Sequence, residues 1–251
     1  MSNMAIQPDG EIVLVGETRN EYNNGAAFAK VAFLMRLNQN GTLDFSFGTN
    51  GIMQMAADQA SLNCYPNTSF QGVKLQVDGR IIAVGYTSLV NVNCQQASRF
   101  VVTRRTACGQ PEIMRHINNN TTFSSQQEGA GSILFTRDGS KILVSGAYKN
   151  LGGLSPPNLL TMVRFNLSDL SVDTTFAGGG IRQQSSGCGC VFCGFFSGGR
   201  LQIKAIQPDG KILAVDGATS SGNVVRYNPD GTLDQSFGNG INGNGGLLGR
   251  L

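Results

Sequence analysis

Three of the six cysteines stand together in G-C-G-C-V-F-C-G, as Cys188, Cys190 and Cys193. Thiolates at this spacing resemble one knuckle of a zinc site, but zinc takes four ligands, usually from two such knuckles. A fourth would have to come from Cys64 or Cys94. A Cys64–Cys94 disulfide competes with that reading and ranks above it, because the second knuckle is missing. The sixth cysteine, Cys108, is read as free. His116 is the only histidine. A Ser-His-Asp triad would have to use it, and no G-x-S-x-G elbow supplies the serine. No Walker motif occurs, nor a G-x-G-x-x-G at a strand–helix junction. The phrase N-x-[ND]-G-x-L-D, at Asn38–Asp44 and Asn228–Asp234, offers oxygens to calcium. It supplies too few carboxylates, and turns in which Asn or Asp accepts from its own backbone explain it better. No cofactor is expected.

The charges that recur are more informative. Arg36, Arg105, Arg164 and Arg226 each precede an acid, respectively Asp44, Glu112, Asp173 and Asp234, by seven to nine residues. Such a pair can fix a turn through two parallel hydrogen bonds. A ring of arginines binding an anion is the alternative. Repetition favours the structural role, because a binding site usually draws different residues from different repeats.

These residues are positioned by an internal repeat. Asp9-Gly10, Asp78-Gly79, Asp138-Gly139 and Asp209-Gly210 follow one another at spacings of 69, 60 and 71 residues, each between apolar runs rich in β-formers. That pattern predicts a hairpin, with glycine supplying positive φ. A third strand is expected at Val31–Leu37, Phe100–Arg105, Leu160–Phe165 and Val224–Tyr227. A fourth begins at Gly51-Ile52, His116-Ile117, Gly180-Ile181 and Gly240-Ile241. No stretch sustains a 3.6-residue apolar period, so helix should be minor.

Four short antiparallel strands per repeat of about 60 residues match the size of a propeller blade. The combined phrase Q-P-D-G-K-I-L and R-x-N-x-D-G-x-L-D-x-S-F-G resembles the delta-60 repeat, a bacterial β-propeller repeat. The first and last copies match closely, the third fairly and the second poorly. The resemblance implies a β-propeller and no particular reaction. The expected fold is a single all-β domain over residues 1–251, with repeats at about 1–56, 70–122, 130–183 and 199–246 and a C-terminal strand beyond. The chain holds four periods. Either the C-terminal strand completes the first blade and closes a four-bladed ring, or the chain belongs to a longer ring.

Composition narrows the function. Charged residues are 14% of the chain and net charge is +3 with no dense basic cluster, which gives nucleic acid and anionic membranes no support. No apolar run is long enough for a membrane helix. The first ten residues lack the charged and apolar regions of a secretory signal. An extracellular or cell-surface setting is nevertheless the expectation. In an antiparallel blade the Asp-Gly hairpin and the N-x-D-G turn share one edge and are uniform. The opposite edge carries the long, irregular connections, with Tyr22, Tyr65, Phe195 and Phe196 as candidate contacts for a glycan or a protein. The expected role is a non-catalytic binding or structural module. The alternatives are a carbohydrate-active hydrolase or lyase, using two acids about 5–9 Å apart on the loop edge, and a subunit of a larger extracellular assembly whose terminal strands pair with another copy.

Overall fold

The computed structural model describes residues 1–22, 27–55, 67–90, 96–117, 127–149, 158–185, 201–218, 221–238 and 246–248. Among them there is no helix; sixteen strands form four four-stranded antiparallel sheets. The first sheet is β1 (Asn3–Ile6), β2 (Ile12–Tyr22), β3 (Ala27–Leu37) and β4 (Ile52–Met55). The second is β5 (Thr68–Leu75), β6 (Ile81–Val90), β7 (Gln96–Arg105) and β8 (Pro111–Ile117). The third is β9 (Gln127–Phe135), β10 (Lys141–Lys149), β11 (Asn158–Asn166) and β12 (Ile181–Ser185). The fourth is β13 (Leu201–Ile206), β14 (Ile212–Ala218), β15 (Ser221–Tyr227) and β16 (Gly246–Leu248). In each sheet the strands lie side by side in chain order.

The hairpins are built alike. In the first, Gly10 donates its N–H to the Gln7 carbonyl, Gln7 donates to the Glu11 carbonyl, and Gly10 sits at φ +86°. Asp9 accepts the Glu11 N–H on its side chain at 3.1 Å. Glycine is favoured because only it enters this conformation freely, and aspartate because it satisfies the N–H two residues on. The turn after the third strand repeats the design: Gly41 donates to the Asn38 carbonyl and Asn40 accepts from Thr42.

Two expectations change. One of the two alternatives has the C-terminal strand completing the first blade. Instead β16 pairs with β15, placing Leu247 opposite Val224. The tight turn after each third strand returns the chain beside it, so the fourth strand is captured locally. The strand β8 also starts at Pro111, ahead of the expected His116, and β16 starts at Gly246, beyond the expected Ile241.

The chain divides into two compact units, Met1–Ala130 and Gly131–Leu251. In the first, β5 packs against β1, β2 and β3. Val13, Val15, Leu34 and Phe47 of the first sheet join Phe70, Val73, Ile81 and Ala83 of the second in one core. In the second unit, β13 packs against β10 and β11, and Leu143, Met162 and Phe176 meet Ile203, Ile212, Ala214 and Tyr227. Runs such as Ile81–Val84 are buried on both sides. That explains why they read as unbroken apolar stretches rather than alternating ones.

Candidate functional site

The recurring charges meet at the turn between the third and fourth strands. After β3, the Asp44 N–H bonds to the Arg36 carbonyl, which folds the chain back over its own strand. The Arg36 guanidinium then reaches Asp44 Oδ2 through Nε at 2.6 Å and Nη2 at 2.5 Å. Asp44 Oδ1 accepts both the Ser46 N–H and its hydroxyl, at 2.9 and 2.7 Å. All lone-pair directions of the carboxylate are thereby used. In the third sheet Arg164 Nε donates to Asp173 Oδ2 at 2.7 Å, and Thr175 takes the place of Ser46. In the fourth, Arg226 Nε donates to Asp234 Oδ2 at 2.7 Å, and Ser236 caps Oδ1. Each guanidinium also covers a phenylalanine of its turn: Phe47 at 5.1 Å, Phe176 at 4.7 Å and Phe237 at 4.4 Å from the ring centre. Such stacking favours arginine over lysine.

The second sheet departs from the expected assignment. Glu112 is held by Arg104 Nε at 2.9 Å and by Arg80 Nε at 2.9 Å, and not by Arg105. Strand register gives the reason. Arg36 lies opposite Val13, Arg164 opposite Leu143 and Arg226 opposite Leu213, and the residue opposite the corresponding Ile82 is Arg104. Arg105 faces Ile81, the place taken elsewhere by Leu37, Phe165 and Tyr227. Successive residues of a strand point to opposite faces, so a one-residue offset sends Arg105 to the other side of the sheet. There it is 8% exposed, and its Nε has no hydrogen-bond partner. Burial pushes its pKa below the usual arginine value.

A third charge completes each cluster, and sequence reasoning missed it. It is supplied by the residue that opens the second strand or directly precedes that strand: Glu11 to Arg36 at 2.8 Å, Arg80 to Glu112, Lys141 to Asp173 at 2.9 Å, and Lys211 to Asp234 at 3.0 Å. The signal was the charged residue that follows each Asp-Gly, displaced by Ser140 in the third copy.

The electrostatics follow from these contacts. The Asp234 carboxyl lies well below the ordinary range, first because of the Ser236 hydroxyl and then Lys211. For Asp173, burial acts upward but is outweighed by Lys141, Thr175 and Arg164. For Asp44 the Ser46 hydroxyl is the main downward influence. On Glu112 burial again acts upward, and Arg80 and Arg104 overcome it. These acids are held as carboxylates. The Asn40 and Asp230 side chains accept from the N–H and hydroxyl of Thr42 and Thr232, at 2.6–3.0 Å. Oδ1 of each is thus engaged within the turn.

The remaining candidates lie elsewhere. Cys108 is a free, exposed cysteine in the turn after β7. His116 stands on β8 opposite Val101. Tyr22 ends β2, opposite Ala27, and only its backbone is described. Tyr65, Phe195, Phe196, Cys64, Cys94, Cys188, Cys190 and Cys193 lie outside the described residues.

No curated protein matches the chain. A family model described as a domain of unknown function (DUF5122) β-propeller matches residues 7–47 and 207–237. These are the two copies that run from the Asp-Gly hairpin to the phenylalanine of the charged turn. Four-stranded antiparallel sheets in chain order, together with that match, make the chain similar to a β-propeller domain.

Proposed function

We propose that the chain is a non-catalytic propeller module of delta-60 type. Its turn edge is scaffold, and its opposite edge contacts a protein or glycan partner. One observation carries this reading: Asp44, Glu112, Asp173 and Asp234 are each bound by at least one guanidinium and kept ionised. A general acid needs a carboxyl whose pKa is raised toward the working pH, and these are displaced the other way. The strand ends Met55, Val90, Ile117, Lys149 and Ser185 lie at the edge opposite the hairpins, and the sequence that follows each of them does not repeat. Such segments tolerate variation on a fixed frame and commonly carry recognition.

The test replaces residues 150–157 and 186–200 with short Gly-Ser linkers. Both proteins are assayed on a glycan array, by capture of extracellular proteins, and with aryl glycosides for turnover. Retention of a glycan or protein by the parent, lost in the shortened variant at unchanged melting temperature, is expected. Glycoside turnover abolished by the same shortening would establish the carbohydrate-active alternative instead.

A further inference from the structure

Within the unit Gly131–Leu251, the third sheet meets the fourth as the first meets the second within Met1–Ala130. Arg164 Nη1 donates to the Pro229 carbonyl at 2.7 Å, and Arg36 Nη1 to the Ala107 carbonyl at 3.1 Å. The Thr136 N–H bonds to the Lys141 carbonyl as the Gln7 N–H bonds to the Glu11 carbonyl. Lys141 therefore holds the place of Glu11, and Arg137 the place of Pro8.

The two joints carry opposite charge. In the first, two acids, Glu11 and Asp44, hold one cation, Arg36. In the second, two cations, Lys141 and Arg164, hold one acid, Asp173. Lysine for glutamate adds two positive charges and arginine for proline adds one, so these positions differ by three charges. Asp230, where the first joint has Cys108, returns one negative charge, and its carboxylate is bound by Thr232. The frame needs neither added cation. The Arg36–Asp44 pair forms without a lysine, and the first hairpin turns with a proline.

The three cations line one recess of about 260 Å³, whose walls also include Leu143, Ile206 and Ile212. Arg137 is held there by a 2.7 Å bond from Nη1 to the Pro208 carbonyl, and it pairs with no acid among the described residues. Its Nε and Nη2 donors have no acceptor among those residues. The acid on the wall, Asp138, is satisfied by the Thr136 hydroxyl and by the N–H and hydroxyl of Ser140. A guanidinium with open donors matches the planar oxygens of a carboxylate or phosphate. Cations gathered in a recess with apolar walls attract such a group more strongly than the same cations spread over a surface.

We propose that this recess binds the carboxylate or phosphate group of a small molecule. Arg137 Nε and Nη2 donate to its oxygens, Lys141 and Arg164 supply further positive charge, and Leu143, Ile206 and Ile212 face the body of the ligand. The site lies on the hairpin edge, apart from the partner contact of the opposite edge, and does not depend on it.

The test is isothermal titration calorimetry of the full chain at constant ionic strength, with inorganic phosphate and butyrate as probes. Melting temperature is not the readout, because phosphate stabilises folded proteins by exclusion from their surface. At least one probe should saturate a single site per chain with Kd below about 1 mM. Arg137→Gln should weaken that binding at least about tenfold, roughly 1.4 kcal/mol. Lys204→Gln removes an exposed charge of the same unit outside the recess, and should change binding by less than about twofold, since salt screens it. Circular dichroism checks folding, and Arg137→Ala replaces a glutamine variant that unfolds. Binding of phosphate alone assigns a phosphate ligand, butyrate alone a carboxylate, and both an unselective oxyanion site. Saturation by neither probe overturns the proposal. So does binding that the Arg137 substitution weakens no more than Lys204→Gln does.

Discussion

At the scale of the residue, two adjacent arginines show how much depends on register. Arg104 holds Glu112, and Arg105 turns to the opposite face, where tyrosine or phenylalanine stands in other sheets. Counting back five residues from the turn glycine selects Arg104, as it selects Arg36 and Arg226. The position was thus legible, but only to a count anchored on the glycine. A buried charge without full hydrogen bonding costs stability, and an apolar replacement of similar size removes that cost. Arg105→Leu should therefore stabilise the chain by about 1–2 kcal/mol in urea denaturation; destabilisation would show that the guanidinium has a partner. The aspartates give a pH dependence. Their folded pKa values lie below the unfolded value of about 3.9, so they add stability that is complete well above pH 4. This stability is lost as pH falls from about 4 through the lower folded values. Asp173→Asn should lower stability at pH 7 and flatten the acid limb of the stability–pH curve. An acid limb of unchanged steepness would assign that limb to other carboxylates.

At the scale of the element, turn chemistry was readable and strand capture was not. Aspartate followed by glycine announces a hairpin because each residue meets a local need of the backbone. Which sheet the C-terminal strand joins is no local property, and the tight third turn keeps β16 beside β15. A closer constraint sits between β5 and β6. The first strand shifts register between Phe70 and Gly72, and Gly85 opposite brings its backbone against Ser69. A Cβ at Gly85 would collide with the Ser69 carbonyl oxygen. Gly85→Ala should cost about 1–3 kcal/mol by overpacking, read as a lowered denaturation midpoint. A change within about 0.5 kcal/mol, the scale of ordinary surface substitutions, would mean that the bulge relaxes.

At the scale of the molecule, one repeat position has different consequences in different copies. Leu34 faces Val15 and Val224 faces Val215, so the two are equivalent in register. Leu34 is sealed against the second sheet, while Val224 remains partly open. Leu34→Glu buries an unpaired carboxylate in the core and should abolish folding, seen as loss of the cooperative thermal transition. Val224→Glu should retain that transition within a few degrees. Similar losses from both would mean that Val224 is buried in the folded chain.

The sequence by itself determined the strands, the Asp-Gly turns and the recurrence of arginine with an acid. Each of these follows from local backbone chemistry or from a short period that any copy of the repeat displays. Only the tertiary structure decided which arginine meets which acid and what third charge joins them. Those outcomes depend on register across strands and on what covers each face, and both bring together residues far apart in the chain.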